Sequence, residues 1–252
     1  MKRIQGIAAS NGIVLGRIFI FYREKCSVSK RYAANIEAEQ ERLNEALSKA
    51  VNEMAELYRR SLKQLGEKNS EIFQIHIMML QDEEFVHAMQ DCIRRDHVNA
   101  EYAVWQTGKH FSERMEKIKN EYMRARAADI KDITYCLVCC LNAKASAKPK
   151  AEKVKSPFVI AADEFTPSET IQMDPAKVLA ILTRSGSSTS HASMLARTMG
   201  IPTVVGVGAN YKYLQDGMLV SVNGTSGEVI LNPDAQSQAA CEQKRMEFLH
   251  RI

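Results

Sequence analysis

The stretch from Ser185 to His191 (Ser-Gly-Ser-Ser-Thr-Ser-His) runs through small and hydroxyl side chains to a histidine. Just before it, the apolar run Val178–Leu182 reads as a buried strand, and just after it, Ala192–Met199 reads as a helix. His191 is therefore expected where a strand feeds through a flexible loop into the first turn of a helix. The first N–H groups of a helix lack intrahelical partners and carry partial positive charge. They form a natural site for phosphate and other anions. The same field favours the neutral, nucleophilic form of a ring placed there. A neutral histidine beside a phosphate cradle can accept a phosphoryl group covalently. A capping or simply buried histidine is the competing reading, and residue type alone leaves both open.

Two kinds of segment position this loop. Residues 1–22 alternate short apolar runs with Gly6, Gly12 and Gly16, and Gly16–Tyr22 reads as a strand. From about 34 to 142 the pattern turns helical and glycine-poor. Ile36, Leu43, Leu47, Met54, Leu57 and Leu65 recur at helical spacing. Ser70, Asp82 and Asn99 are expected to cap further helices, and a last one runs from about Tyr122 to Leu141. Short connections imply antiparallel neighbours and hence a bundle. A lysine-rich stretch at 143–155 reads as a linker. Strands return at Phe158–Ala161, Val178–Leu182, Thr203–Val205, Met218–Val222 and Glu228–Leu231, followed by a polar helix from Asp234. The simplest architecture is an α/β domain of residues 1–22 plus 145–233, an inserted all-α bundle of 33–143, and a C-terminal linker helix of 234–252.

Composition narrows the function classes. In 252 residues, 45% apolar and 25% charged side chains are ordinary for a globular protein. No apolar run is long enough to span a bilayer, and the N-terminus lacks the apolar core of a signal peptide. The expected location is the cytoplasm, with no membrane partner. A net charge of +4 without a basic-aromatic motif gives no case for nucleic acid. Six cysteines occur: Cys26, Cys92, Cys136, Cys139, Cys140 and Cys241. The C-x-x-C at Cys136–Cys139 lies in an apolar helical pattern with no second pair, which favours packing over metal.

The segment Thr183–Gly206, with Thr-Ser-His, Ala-Arg and a Gly-Ile-Pro turn, resembles the phosphohistidine loop shared by phosphoenolpyruvate-dependent enzymes. Gly6–Ile13, Ile72–Glu84, Arg126–Asp132 and Ala161–Thr170 follow in the order of one family among them, Enzyme I of the sugar phosphotransferase system. The resemblance covers nearly the whole chain and matches the family's amino-terminal half. It implies an α/β phosphohistidine domain with an inserted helical bundle. Enzyme I moves phosphate from phosphoenolpyruvate to the carrier protein HPr, and is a phosphoenolpyruvate-protein phosphotransferase. Position in the motif makes His191 the phosphate carrier, attacking through Nε2, with Thr189 and Ser190 beside it. Thr170 matches the residue whose hydroxyl steadies the active ring, a helix N-cap being the other reading of it. His76, Met79, Glu83, Glu84, Arg126 and Lys131 fall in the motifs of the HPr-docking bundle. There an apolar patch from Met78, Met79 or Leu80, rimmed by charge, is expected. For Glu83 and Glu84 the first turn of a helix is the plain alternative, and for His76 it is core packing.

Three departures from the family pattern bear on activity. Ser187 replaces the second glycine of the usual Gly-Gly, and strains the loop if that position needs positive φ. Arg184 stands where an acid is common. The family's phosphoenolpyruvate-binding, magnesium-dependent barrel lies outside these residues. The segment is thus expected to hold no cofactor, Mg²⁺ belonging with the barrel. It is also expected to be monomeric, the full-length family being dimeric, and to exchange phosphate with HPr without taking it from phosphoenolpyruvate directly. An HPr-docking module with weak or no phosphotransfer and a swivelling phosphohistidine domain of a dikinase-like enzyme are the alternative readings.

Overall fold

The computed structural model describes residues 1–23, 26, 28–142 and 156–250. The lysine-rich stretch 143–155 lies outside them. Contacts divide the chain into Met1–Arg23 with Lys148–Ile252, and Glu24–Ala147.

The first unit holds β1 (Lys2–Gln5), β2 (Ile7–Ser10), β3 (Ile13–Ile20), β4 (Phe158–Ala162), β5 (Val178–Thr183), β6 (Thr203–Val205), β7 (Leu219–Asn223) and β8 (Glu228–Leu231). They form one sheet in the order β1-β8-β7-β3-β4-β5-β6-β2. The four strands from β3 to β6 pair in parallel, and the pairs outside them are antiparallel. β1 and β2 occupy opposite ends of this order, yet only Gly6 separates them in sequence. The sheet therefore curls until one continuous segment serves both edges, which removes exposed edges. Gly6 N–H donates to Gly227 O at 2.9 Å. A Cβ on Gly6 would sit 2.6 Å from Val204 Cγ1 and 2.9 Å from Val205 O, so glycine is required by close approach.

Strand alternation sorts the side chains onto two faces. Ile18, Ile20, Val159, Ala161, Ala180, Leu182, Val220 and Val222 fill the concave interior. Phe158, Ile160, Ala162, Val178 and Ile181 point the other way, and Phe165, Met173, Ala196 and Ile201 cover them. Ala196 belongs to α7 (His191–Thr198), and Phe165 and Met173 flank the short helix α6 (Pro167–Thr170). The last helix of the unit, α8 (Ala235–Leu249), is expected from the sequence as a linker. It packs on β3 and buries Cys241.

The second unit contains α1 (Ile36–Leu65), α2 (Glu67–Leu80), α3 (Glu83–Asp96), α4 (Ala100–Glu116) and α5 (Glu121–Leu141). Asn35 caps α1 by accepting from Ala38 N–H, and Asp82 caps α3 by accepting from Phe85 N–H. Of the expected stripe of α1, Leu43 and Met54 are buried and Ile36, Leu47, Leu57 and Leu65 are half-buried; Ala46, Ala50 and Ser61 complete the buried face, small residues that let neighbouring helices approach. Two expected caps act differently. Ser70 lies inside α2, where its hydroxyl donates to Gly66 O at 2.7 Å and to Ser61 Oγ at 3.0 Å. Gly66, at φ +79°, ends α1 and starts α2. Asn99 precedes α4 but accepts from Arg31 N–H at 2.8 Å and donates to Glu101 at 2.8 Å instead of capping.

Glu101 is buried and also accepts from Arg42 Nη2. Burial alone would raise its pKa, but the bonds from Arg42 and Asn99 outweigh that and hold it below the ordinary carboxylate value. A carboxylate depressed on folding adds stability above its unfolded pKa, and this is lost as pH falls through its folded value. Glu101→Gln is expected to lower stability at pH 7 by about 1–3 kcal/mol. The gap to the parent chain should narrow as pH drops below about 4. Urea midpoints from pH 7 to pH 3.5 check this.

Candidate functional site

In the first unit β5 ends at Thr183, and residues 184–190 lead to α7. Arg184 N–H donates to Ala162 O at 3.0 Å, and Ser185 N–H to Asp163 O at 2.9 Å. On the far side Val207 N–H donates to Thr183 O and Gly208 N–H to Arg184 O. The loop thus leaves the sheet anchored to both neighbours of β5. Gly186 takes φ +111°, the left-handed side that glycine tolerates. Among the described residues the non-glycine positions with positive φ are His97 and Asn232. Ser187 is therefore unstrained, and the expectation of loop strain is corrected. Arg184 points to solvent, with Nη1 3.4 Å from Asp163 Oδ1.

Ser190 is the N-cap of α7 and accepts from Ser193 N–H at 3.2 Å. Its hydroxyl donates to Ser193 Oγ at 3.0 Å, and Ser193 Oγ donates to Ser187 O at 2.7 Å. The hydroxyl residues thus lock the loop onto the first turn. His191 is the first residue of α7 and is half-buried. Thr189 is exposed, its Oγ1 3.2 Å from Ser187 Oγ. Sequence reasoning gave no role to Arg197 or Ser193. Arg197 Nε donates to Ala9 O at 2.8 Å and Nη2 to Ser188 O at 3.0 Å, tying the loop to β2. An arginine near a helix C-terminus reads equally well as a dipole partner, which hides this clamp.

Thr170 is the last residue of α6, not an N-cap. The cap is Thr166, paired with Glu169 in a capping box. Arg23 holds the Glu169 carboxylate through two bonds of 2.7 Å. Thr170 is buried and donates to Thr166 O at 2.8 Å. It lines a small cleft with Ser185, Gly186, Ser190 and Ser193, whose volume is about 20 Å³. That is room for about one water. His191 is not part of its wall.

In the helical unit, α2 and α3 meet at a two-residue turn, Gln81-Asp82. Glu83 and Glu84 are exposed in the first turn of α3, Glu84 Oε1 lying 3.8 Å from Arg114. Met78 is exposed, Met79 is half-buried and Leu80 belongs to the core. Lys131 is exposed and donates to Glu116 at 2.6 Å. His76 departs from its expected place at a docking surface. It is fully buried, with Nε2 3.5 Å from Asp129 Oδ1 and Nδ1 3.9 Å from Asp132 Oδ2. Arg126, largely buried, stands 3.6 Å from Asp129. These four side chains form an internal polar cluster that fixes α2 against α5. Only their helices, and not the rings and carboxylates themselves, are offered to solvent.

Residues 5–126 match the family model of the N-terminal region of phosphoenolpyruvate-utilising enzymes, and residues 154–227 match that of their mobile domain. The phosphoenolpyruvate-protein phosphotransferase of Priestia megaterium is 37% identical over 98% of this chain, and that of Bacillus subtilis (strain 168) is 33% identical over 99%. The chain spans 43% of the length of each of these two relatives. The solution structure of an Enzyme I protein superposes with a TM-score of 0.75 at 30% identity, covering 97% of this chain and 99% of that one. The N-terminal domain of a nitrogen-type Enzyme I has the same fold, with a TM-score of 0.61 at 21% identity over 98% of this chain and 99% of that one. No helix among the described residues is long and apolar enough to cross a membrane. With both parts matched in order and the solved relative covered end to end, the chain belongs to the Enzyme I family and corresponds to its amino-terminal portion.

Proposed function

We propose that this chain is a phosphoryl-transfer domain in which His191 carries phosphate between a donor and the carrier protein HPr. The observation that carries this reading is the position of His191 as the first residue of α7, behind a loop of hydroxyl side chains locked by Ser190, Ser193 and Arg197. In the transfer from a phosphorylated carrier, the donor N–P bond breaks as a bond forms from phosphorus to the His191 ring. A phosphohistidine on each side keeps the step near balance. The N–H dipoles of the first turn of α7 face the charge on the phosphoryl oxygens, and such preorganised donors supply the larger part of catalysis. Thr189, exposed beside Ser187, supplies a hydroxyl to the same oxygens, while Ser190 acts by fixing the turn. Thr170 steadies the loop from behind through the shared cleft.

The cleft is too small for phosphoenolpyruvate, so transfer belongs on the open side of His191. Phosphoenolpyruvate and Mg²⁺ are handled by the barrel of the full-length family, outside these residues. The docking-only reading rested on Ser187 and Arg184; Ser187 carries no strain and Arg184 is turned to solvent. A labelling experiment tests the proposal: phosphate from a labelled phosphorylated HPr is expected on this chain, and none from labelled phosphoenolpyruvate alone. The reverse pattern would overturn it.

HPr docks on the helical unit around the α2–α3 turn, where exposed Met78 and half-buried Met79 are flanked by Glu83 and Glu84. Lys131 contributes rim charge, and Arg126 and His76 support the surface from inside. Glu83→Gln with Glu84→Gln is expected to slow association with HPr several-fold at low salt and to leave dissociation nearly unchanged. The difference should fade near 0.5 M salt, where the Debye length falls to about 4–5 Å. Stopped-flow association rates check both.

A further inference from the structure

The three cysteines of α5 do not behave as one C-x-x-C unit. Cys139 turns to Cys26, the two sulfurs being 3.0 Å apart. Cys136 turns away from that pair, toward Cys140 one turn on and Glu53 of α1. Residues four apart on a helix share a face, and α1 packs along this one. The two sulfurs and a Glu53 carboxylate oxygen all lie within 4.8 Å of one another, and Cys136 Sγ is 3.5 Å from Glu53 Oε2. In a tetrahedral zinc site with Zn–S of about 2.3 Å and Zn–O of about 2.1 Å, the sulfur–oxygen edge is about 3.6 Å. The observed edge already has that length.

We infer that Cys136, Cys140 and Glu53 form a binding site for one zinc ion that clamps α1 to α5. Two thiolates and one carboxylate are a soft, mixed donor set that suits Zn²⁺ and not Ca²⁺ or Mg²⁺, which need more oxygen ligands. Cys136 is buried, Cys140 is half-buried and Glu53 reaches in from an exposed position, which leaves the fourth corner open to water. Zinc uptake forms two Zn–S bonds and one Zn–O bond, and whatever protons the ligating thiols hold pass to water. The helix it fixes also bears Arg126, Asp129, Lys131 and Asp132, so the metal stiffens the support of the proposed docking face.

The test uses the full chain, stripped of metal and kept reduced with a phosphine, and titrated with Co²⁺ as the spectroscopic probe. One equivalent is expected to give intense near-ultraviolet thiolate-to-cobalt bands and the visible bands of a tetrahedral site, both erased by Zn²⁺. Cys136→Ser and Cys140→Ala should each abolish the tetrahedral one-equivalent spectrum. Glu53→Gln, at an exposed position that folding tolerates, should weaken binding by at least about tenfold. Cys26→Ser and Cys139→Ser should leave the spectrum as it is. Zn²⁺ should raise the Tm of the parent chain and not that of Cys140→Ala. Absence of thiolate bands, or bands that survive Cys140→Ala and Glu53→Gln or vanish with Cys26→Ser, would overturn the assignment.

Discussion

His191→Ala is expected to reduce phosphoryl exchange with HPr by on the order of 10⁴–10⁶-fold, since loss of a covalent nucleophile leaves only binding and orientation. The same change should cost little stability. His191 is half-buried at the first position of α7, and the cap of that helix comes from Ser190, not from the ring. Surface substitutions away from core and cap features usually fall within about 0.5 kcal/mol. HPr binding should also persist, because the proposed docking residues belong to the helical unit. A steady-state exchange assay between labelled HPr and the chain, run beside a thermal melt, separates lost chemistry from lost fold. Thr170→Ala should be milder by orders of magnitude. Its hydroxyl is engaged with Thr166 O, so its effect on the ring is exerted through the cleft wall.

Gly108→Ala is expected to destabilise the helical unit by about 1–3 kcal/mol, although alanine is the better helix former by about 1 kcal/mol. Gly108 lies where α4 meets α5. A Cβ there would sit 2.1 Å from Thr134 Oγ1, 2.5 Å from its Cγ2 and 2.8 Å from its Cβ. Neighbouring positions on α4, including Ala100, Ala103, Thr107 and Ser112, are also small and buried, which permits the close approach. Thr134 cannot swing aside freely, since its hydroxyl donates to Ile130 O at 2.6 Å. Thr134→Ala removes the two nearest clashes and should recover part of the loss in the double variant. Urea unfolding of the four proteins forms the cycle. Additive losses, or a stabilised Gly108→Ala, would contradict the packing described here.

The parts of the fold that were legible in the sequence share a short-range cause. Val178–Leu182 is an apolar run, Asp82 precedes Phe85 by cap spacing, and the hydroxyl loop before His191 ends on an N-cap serine. Each is decided within a few residues. What escaped was decided at long range or by competition. The pairing of Lys2–Gln5 with Glu228–Leu231, and the closure at Gly6, join segments more than 200 residues apart. Ser70 and Asn99 have cap chemistry, but Gly66 starts α2 and Arg31 and Glu101 occupy the Asn99 side chain. His76 lies in a motif, and motif membership does not distinguish a residue at a surface from one that holds the surface up. Only the positions of Asp129 and Asp132 settle that. Ser187 carried an expectation of strain because a substitution alone does not tell which of two adjacent positions bears the positive φ; it is Gly186.

The measurement that bears most directly on His191 is peptide mapping by mass spectrometry at alkaline pH, after incubation with phosphorylated HPr. One phosphoryl group on the peptide containing His191, absent from His191→Ala, is the expected result. Phosphate on another histidine, or none while HPr binding is still measurable, would contradict the assignment of this chain as a phosphohistidine carrier.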